Sequence, residues 1–330
     1  MLRLSDFDYY LPKNLIAQYP LKKRDLARLL VLNRKKQTIE HRVFKDIIDY
    51  LKPDDLLALN NTKVLSCRLR GNRITGGKVE VLLLKRKTGL IFNSLIKPGR
   101  VKIGEKIIFN GNKASGIISA KNEITFRAKD IASVYNLGVM PLPPYIKREP
   151  QDLDKIFYQT VYAQKVGAIA SPTAGLHFTL DLITKIKSQG INVAYLTLHV
   201  GISTFKPVKI DDIRKHKMQP EYFKISDQAA KLIKKAKAQK CRIFAVGTTS
   251  CRALETYASG VKEDQTKLFI YPGYKFKLTD CLLTNFHLPR TTLFMLVCAF
   301  AGKKLIKMAY QEAIDKNYRF YSYGDAMLII

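Results

Sequence analysis

Four stretches of this chain gather the residue types that exchange protons or grip polar ligands. Ser171-Pro172-Thr173-Ala174-Gly175-Leu176-His177-Phe178 sets two hydroxyls and an imidazole on a turn stiffened by Pro172 and freed by Gly175. Leu196-Thr197-Leu198-His199-Val200-Gly201 ends an apolar run in His199, and Leu283-Thr284-Asn285-Phe286-His287-Leu288-Pro289 does the same with His287. Val246-Gly247-Thr248-Thr249-Ser250-Cys251-Arg252-Ala253-Leu254-Glu255 reads as strand, glycine turn and hydroxyl-rich helix start. Histidine is the side chain suited to proton exchange near neutral pH. Free N–H groups at a helix start, with Thr248 and Thr249 beside them, favour a carboxylate or a phosphate. Arg252 and Glu255, three apart, are expected to face each other on that helix. Each stretch also has a plain structural reading, a capped turn or a packed histidine, and no single one decides between the two.

Absent patterns narrow the chemistry. There is no G-x-S-x-G elbow, so Ser171 has no sequence-local support as a hydrolase nucleophile. Walker A and G-x-G-x-x-G fingerprints are lacking, which leaves ATP and NAD without an argument. The fourth histidine of this region, His216, stands in Arg214-Lys215-His216-Lys217-Met218, and no H-x-x-x-H spacing suggests a metal. Cys67, Cys241, Cys251, Cys281 and Cys298 form no C-x-x-C pair, so neither a zinc site nor a disulfide framework is expected.

The elements that must position these residues fall into two textures. Leu26–Leu32 reads as a strand, 44–51 as a helix stopped by Pro53, and 55–60 as a strand running into Asn60-Asn61-Thr62-Lys63, a polar cluster of the kind that lines clefts. From about Val64 to Asp130 short β runs alternate with turn signals such as Gly76-Gly77 and Asn110-Gly111-Asn112, the pattern of a small barrel or sandwich. From Asn61 to Asp130 there are 16 Lys or Arg against 4 Asp or Glu, with no histidine, which suits RNA better than proton transfer. Met140-Pro141-Leu142-Pro143-Pro144-Tyr145 closes this insert. Strand and helix then alternate: strands at 191–200, 241–247, 268–271 and 281–284, helices at 227–239 and from about 250, 291 and 303. Asp325, in Tyr321-Ser322-Tyr323-Gly324-Asp325, is read as either a site wall or terminal packing. The expected fold is α/β, a barrel-like main domain (1–60 and 145–330) with a smaller inserted antiparallel β-barrel (61–144).

At 330 residues, with 57 Lys and Arg against 27 Asp and Glu, the chain carries a formal net charge of +30. That surplus favours polyanionic partners through phosphate neutralisation, with binding that weakens steeply as salt rises. The longest apolar run, 293–301, is too short to span a bilayer, and the first residues are not a signal peptide. A cytoplasmic monomer with no membrane contact is expected.

Taken in order, these motifs resemble the S-adenosylmethionine:tRNA ribosyltransferase-isomerase family of queuosine biosynthesis. The likeness runs from Asp6-Phe7-Asp8-Tyr9 and Ile16-Ala17-Gln18-Tyr19-Pro20-Leu21 through Pro141-Leu142-Pro143-Pro144-Tyr145-Ile146 and the histidine stretches to Tyr318-Arg319-Phe320-Tyr321-Ser322-Tyr323-Gly324-Asp325-Ala326-Met327. The resemblance implies that the ribosyl group of S-adenosylmethionine is transferred and isomerised onto 7-aminomethyl-7-deazaguanine at the tRNA wobble position, giving epoxyqueuosine with loss of adenine and methionine. It implies S-adenosylmethionine as co-substrate, no other cofactor, no metal, and tRNA as partner. On this reading His177, His199 and His287 handle protons, and Glu255 is an electrostatic partner for the sulfonium. Ser171, Thr173, Thr248, Thr249 and Arg252 hold the co-substrate. Asn285 and Arg290 address the deazaguanine or the tRNA backbone, and Asn60, Thr62 and Lys63 complete the binding set.

Four positions depart from the family pattern. Asn61 and Lys63 stand where Asp and Arg are usual, Ser203 where Gly is usual, and Gln219 where a second His is usual. Asn61 and Gln219 are therefore not counted on for acid–base work, and Lys63 loses the bidentate fork of Arg. Two other readings remain open: another S-adenosylmethionine-dependent tRNA-modifying enzyme, such as a methyltransferase, and a non-catalytic RNA-binding protein.

Overall fold

The computed structural model describes residues 2–111, 114–201 and 208–330. The chain divides into two compact units, Met1–Lys63 with Pro144–Arg148 and Phe157–Ile330, and Val64–Pro143 with Glu149–Ile156.

The first unit is built on a nine-stranded mixed sheet. Its strands lie in the order Glu263–Thr266, Glu221–Ile225, Asn192–Leu198, Leu56–Asn60, Ile243–Val246, Cys281–Asn285, Ala326–Ile329, Arg28–Asn33 and Thr38–Val43. Four neighbours in the middle, 192–198, 56–60, 243–246 and 281–285, run parallel. Leu56–Asn60 is buried at every position, as a parallel strand covered on both faces must be. Alternate residues serve opposite faces: Leu56 and Ala58 join one core, Leu57 and Leu59 the other. Ala194, Ala58 and Ala245 stand side by side in register. Their small side chains let the helix Thr248–Tyr257 lie against all three strands. The helices Asp227–Ala238, Thr292–Ala301 and Lys303–Asp315 add to that face, while Leu180–Ser188 and the 3₁₀ turns at 44–50 cover the other. Each fully buried Leu or Phe in these layers contributes roughly 1.5–3 kcal/mol.

The second unit is an antiparallel sheet in the order Gly138–Val139, Arg68–Arg73, Lys78–Arg86, Ile91–Lys97, Glu123–Arg127, Ala114–Ala120 and Lys106–Phe109. Pairing of 68–73 with 106–109 closes six of these strands into a barrel. Strict alternation along 78–86 puts Val79, Val81 and Leu83 inside, where Phe92, Phe109 and Phe126 stack edge-on or tilted.

The α/β class and the smaller antiparallel barrel are as expected, with a large mixed sheet as the main layer. Residues 268–271 are not a strand. Phe269 and Tyr271 pack on the core and on each other from an irregular segment, and the ladder partner is Glu263–Thr266. The terminal strand Ala326–Ile329 sits deep in the sheet, parallel to Arg28–Asn33, and was not expected. Among the described residues, no helix is long and apolar enough to cross a membrane.

Candidate functional site

The carboxyl ends of the four parallel strands converge, and the chain leaves each of them through a polar segment: Asn60-Asn61-Thr62, His199-Val200-Gly201, Gly247-Thr248-Thr249 and Asn285-Phe286-His287. In α/β sheets this edge is where ligands bind, because side chains and helix starts gather there while the strands hold them rigid. A narrow cleft opens at this edge, lined by Ser171, Thr173, Thr248, Thr249, Thr284, Asn285 and His287 with Tyr145, Tyr321 and apolar neighbours. Its internal volume is about 60 Å³. That is room for a few water-sized groups, so a nucleoside must part its walls or lie partly outside.

Asn60 ties the edge together. Its Oδ1 accepts from the Leu198 and Thr62 amides at 3.0 and 3.1 Å, and its Nδ2 donates to the Leu198 carbonyl at 2.9 Å and to Thr249 Oγ1 at 3.2 Å. All four hydrogen-bonding positions of the amide are filled, which fixes the ends of three strands but leaves nothing for a ligand. Gly247 turns into the helix at φ +89°, a conformation that only glycine adopts cheaply. No side chain caps the Thr248–Tyr257 helix, and its first turn faces the cleft through Thr248 and Thr249.

The three candidate histidines occupy different settings. His287 lines the cleft, is buried, and pairs through Nε2 with Thr284 Oγ1 at 2.7 Å. Tyr9 and Tyr310 hold its backbone carbonyl and amide. Burial drives its pKa down to about 3, so the ring is neutral at physiological pH. His177 lies buried against Phe44, with the Asn285 side chain as its hydrogen-bonding neighbour. Burial, with the Arg319 and Arg24 cations, lowers its pKa to about 4 despite Asn285. It faces a second small cleft with Arg24, Leu176, Arg319 and Ser322. His199 is half-buried, its ring stacked on Tyr222 and its Nδ1 2.7 Å from Thr62 Oγ1. A Cβ on Gly167 would fall 2.6 Å from His199 Nε2, so glycine lets the backbone press against the imidazole. Burial lowers the His199 pKa as well. His216 stands apart, edge-on to Phe269.

Several expected site residues do not reach the cleft. Glu255 and Arg252 do not face each other. The Glu255 carboxylate accepts from the backbone amides of Lys277, Leu278 and Thr279 at 2.8, 3.1 and 2.8 Å, pinning that loop to the helix. Arg252 pairs instead with buried Glu221, whose other oxygen accepts from the Gly201 amide at 2.8 Å. The pair thereby anchors the segment that follows His199. Arg290 bonds Asp8 at the surface, and Lys63 is exposed. Asp325 accepts from the Arg28 and Arg319 amides at 3.0 and 2.7 Å, and burial raises its pKa; it is packing, not a site wall. Asn61 accepts the Thr197 hydroxyl at 2.7 Å and lines a separate cleft rather than the one walled by Thr248, Asn285 and His287. Gln219 is exposed, and Ser203 lies outside the described residues.

Structure adds residues that sequence reasoning passed over. Tyr321, Tyr145 and Ser322 wall the cleft, the Tyr145 and Tyr321 ring centroids 4.0 Å apart. Glu221 emerges as the anchor of the strand end. The only sequence signal for the tyrosines was the aromatic Tyr321-Ser322-Tyr323-Gly324 run, which does not say which ring faces where.

A rigid parallel-strand edge carrying hydroxyls, an amide and a neutral imidazole around a cleft with no Lys, Arg, Asp or Glu among its described lining residues, in a chain that also holds a basic antiparallel barrel, defines an α/β enzyme scaffold of the small-molecule-binding kind. The chain belongs to the queuosine biosynthesis protein family, whose profile matches residues 4–329. It is 54% identical over 336 residues to the S-adenosylmethionine:tRNA ribosyltransferase-isomerase of Sulfurihydrogenibium sp. (strain YO3AOP1), covering 100% of both chains. It is 48% identical to the protein of that name from Thermosipho africanus (strain TCF52B), covering 99% of this chain and 100% of that one. Among solved structures, the crystal structure of S-adenosylmethionine tRNA ribosyltransferase from Thermotoga maritima superposes with a TM-score of 0.57 at 37% identity. It covers 98% of this chain and 100% of its own.

Proposed function

We propose that this protein transfers and isomerises the ribosyl group of S-adenosylmethionine onto 7-aminomethyl-7-deazaguanine at the tRNA wobble position, releasing adenine and methionine. One observation carries the reading to a place in the molecule: four family-type segments far apart in sequence, 171–178, 247–249, 283–289 and 318–327, supply the walls of one cleft. In that cleft Ser171, Thr173, Thr248 and Thr249 offer hydroxyls to the co-substrate, and His287 offers a neutral ring. His177 and His199, each at the same strand edge or directly behind it, are the further proton-handling groups. Their lowered pKa values make them hydrogen-bond partners and weak bases rather than standing acids. Glu255, Arg252 and Asn60 serve by holding the strand ends and the helix in place. The accompanying expectations are a cytoplasmic monomer and no cofactor beyond the consumed co-substrate.

Purified protein incubated with S-adenosylmethionine and tRNA bearing the aminomethyl precursor should yield adenine and methionine, read by chromatography. S-Adenosylhomocysteine with methylated RNA would favour a methyltransferase, and binding without turnover a non-catalytic role. Either outcome removes the proposal.

A further inference from the structure

We propose that Thr62 is a positioning residue that fixes His199 as its Nδ1–H tautomer and leaves Nε2 as the proton-accepting atom of the ring, an assignment that rests on the function proposed above. The Thr62 side chain lies between two groups. Its Oγ1 is 2.7 Å from His199 Nδ1 and 3.4 Å from the Lys165 carbonyl oxygen. A hydroxyl has one proton to give and two lone pairs to offer. The carbonyl can only accept, so the Thr62 proton goes to Lys165 and a lone pair meets His199. Nδ1 must then carry the hydrogen. Were Thr62 to donate to Nδ1 instead, the Lys165 contact would set two acceptor oxygens face to face.

Both ends of this relay are held by the backbone. The Thr62 amide donates to Asn60 Oδ1 at 3.1 Å, and the same Asn60 side chain bonds Leu198, the residue before His199. The Asn61 carbonyl accepts from the Gln164 and Lys165 amides at 2.8 and 3.0 Å, which keeps Lys165 beside the hydroxyl. The His199 amide donates to the Tyr222 carbonyl at 2.9 Å. Its ring stacks on Tyr222 with centroids 5.3 Å apart and planes inclined by 22°. Thr62 is buried, so water does not compete for its hydroxyl. In a neutral imidazole the hydrogen bond made by one nitrogen decides what the other can do.

Nε2 makes no hydrogen bond among the described residues. A side chain at Gly167 would occupy its space, since a Cβ there would fall 2.6 Å from it. With Nδ1 protonated, Nε2 carries the lone pair. A proton taken there gives the imidazolium without breaking the Nδ1–H bond to Thr62, and the positive charge strengthens that bond. Neither the hydroxyl nor the Lys165 carbonyl has to turn. In the binding set expected from the resemblance Thr62 would touch a ligand; here its proton is already committed to Lys165.

The test combines nitrogen NMR of the full-length protein, its histidines isotopically labelled, with steady-state adenine release by wild type, Thr62→Val and Thr62→Ser. The spectra are taken above about pH 7, where the ring is neutral, and His199→Gln identifies the His199 signals by their loss. Wild type and Thr62→Ser should show a protonated Nδ1 and a bare Nε2 at His199. Thr62→Val keeps the shape without the hydroxyl. It should lose that signature and lower kcat about 10- to 100-fold, part of the roughly 10²–10⁴-fold that a placed proton acceptor supplies. Its KM for S-adenosylmethionine should stay within about 2-fold, because no ligand contact is removed. Thr62→Ser should recover most of kcat. A wild-type ring protonated at Nε2 overturns the assignment whether or not the variants fold, as does a wild-type kcat in Thr62→Val. A raised KM with kcat unchanged in that variant would make Thr62 a substrate contact and overturn it too. Wild type that shows the Nδ1–H ring but releases no adenine removes the functional reading and leaves the tautomer assignment standing.

Discussion

Glu255 distinguishes two kinds of role for a buried carboxylate, and its replacement by glutamine separates them. In the structure Oε1 accepts from the Leu278 and Thr279 amides at 3.1 and 2.8 Å. Oε2 accepts from the Lys277 amide at 2.8 Å and the Tyr274 hydroxyl at 3.3 Å. Glutamine keeps one oxygen and replaces the other with an NH₂ group. With the NH₂ group on the Oε1 side two amide donors face a donor; on the Oε2 side the Lys277 amide does so, while the Tyr274 hydroxyl can turn to accept. Each hydrogen bond to a charged acceptor is worth about 1.5–3 kcal/mol, so losing one or two costs about 1.5–6 kcal/mol before the loop relaxes into water. A net loss of about 3 kcal/mol corresponds to a fall in Tm of about 6–12 °C. Differential scanning calorimetry of Glu255→Gln measures this, alongside single-turnover adenine release at a temperature where both proteins are folded. The expected result is a large drop in Tm with turnover reduced only modestly. A Tm within about 1 °C of wild type, together with a collapse of turnover, would refute the structural role and restore Glu255 as the electrostatic partner of a cationic substrate.

Two further outcomes follow from the same geometry. His177 and His287 have folded-state pKa values near 4 and 3 against an ordinary 6.5, so the unfolded chain binds more protons between those limits. The stability they contribute is complete above about pH 6.5 and falls as pH drops, by about 2 kcal/mol for each ring at pH 5. Urea midpoints taken from pH 7.5 to 5 should show this slope, and His177→Gln should remove about half of it; a flat profile counts against the buried neutral rings. Gly247→Ala forces a β-carbon onto a φ of +89° and should cost about 1–2 kcal/mol while raising the KM for S-adenosylmethionine. Its added Cβ would meet only ordinary contacts, with Ala174 3.7 Å away, so an effect on KM without loss of stability would contradict the backbone explanation.

Much of the architecture was legible because it follows from local periodicity. The alternation along 78–86 and the apolar runs at 56–60 and 243–246 dictate strands, and the 3.6-residue spacing of 227–238 dictates a helix whatever surrounds them. The histidine, glycine–threonine and asparagine segments were visible as strand exits for the same reason. What periodicity cannot encode is which exits meet. The apolar stretch 268–271 carried a strand-like composition and found no ladder, since pairing depends on a partner with free edge groups. Arg252 and Glu255 share a helix surface in sequence, yet each found a stronger partner across the fold, Glu221 and the 277–279 amides.

The sequence by itself determined the family, the α/β class, the basic antiparallel insert and the residues from which a site would be drawn. Only the tertiary structure decided that 171–178, 247–249, 283–289 and 318–327 close on one cleft. It also gave Asn60, Arg252 and Glu255 partners within the protein, across the strand ends and the 277–279 loop. The physical reason is that residue type fixes what a group can donate or accept. Burial and long-range packing fix whether anything within the protein has already taken it.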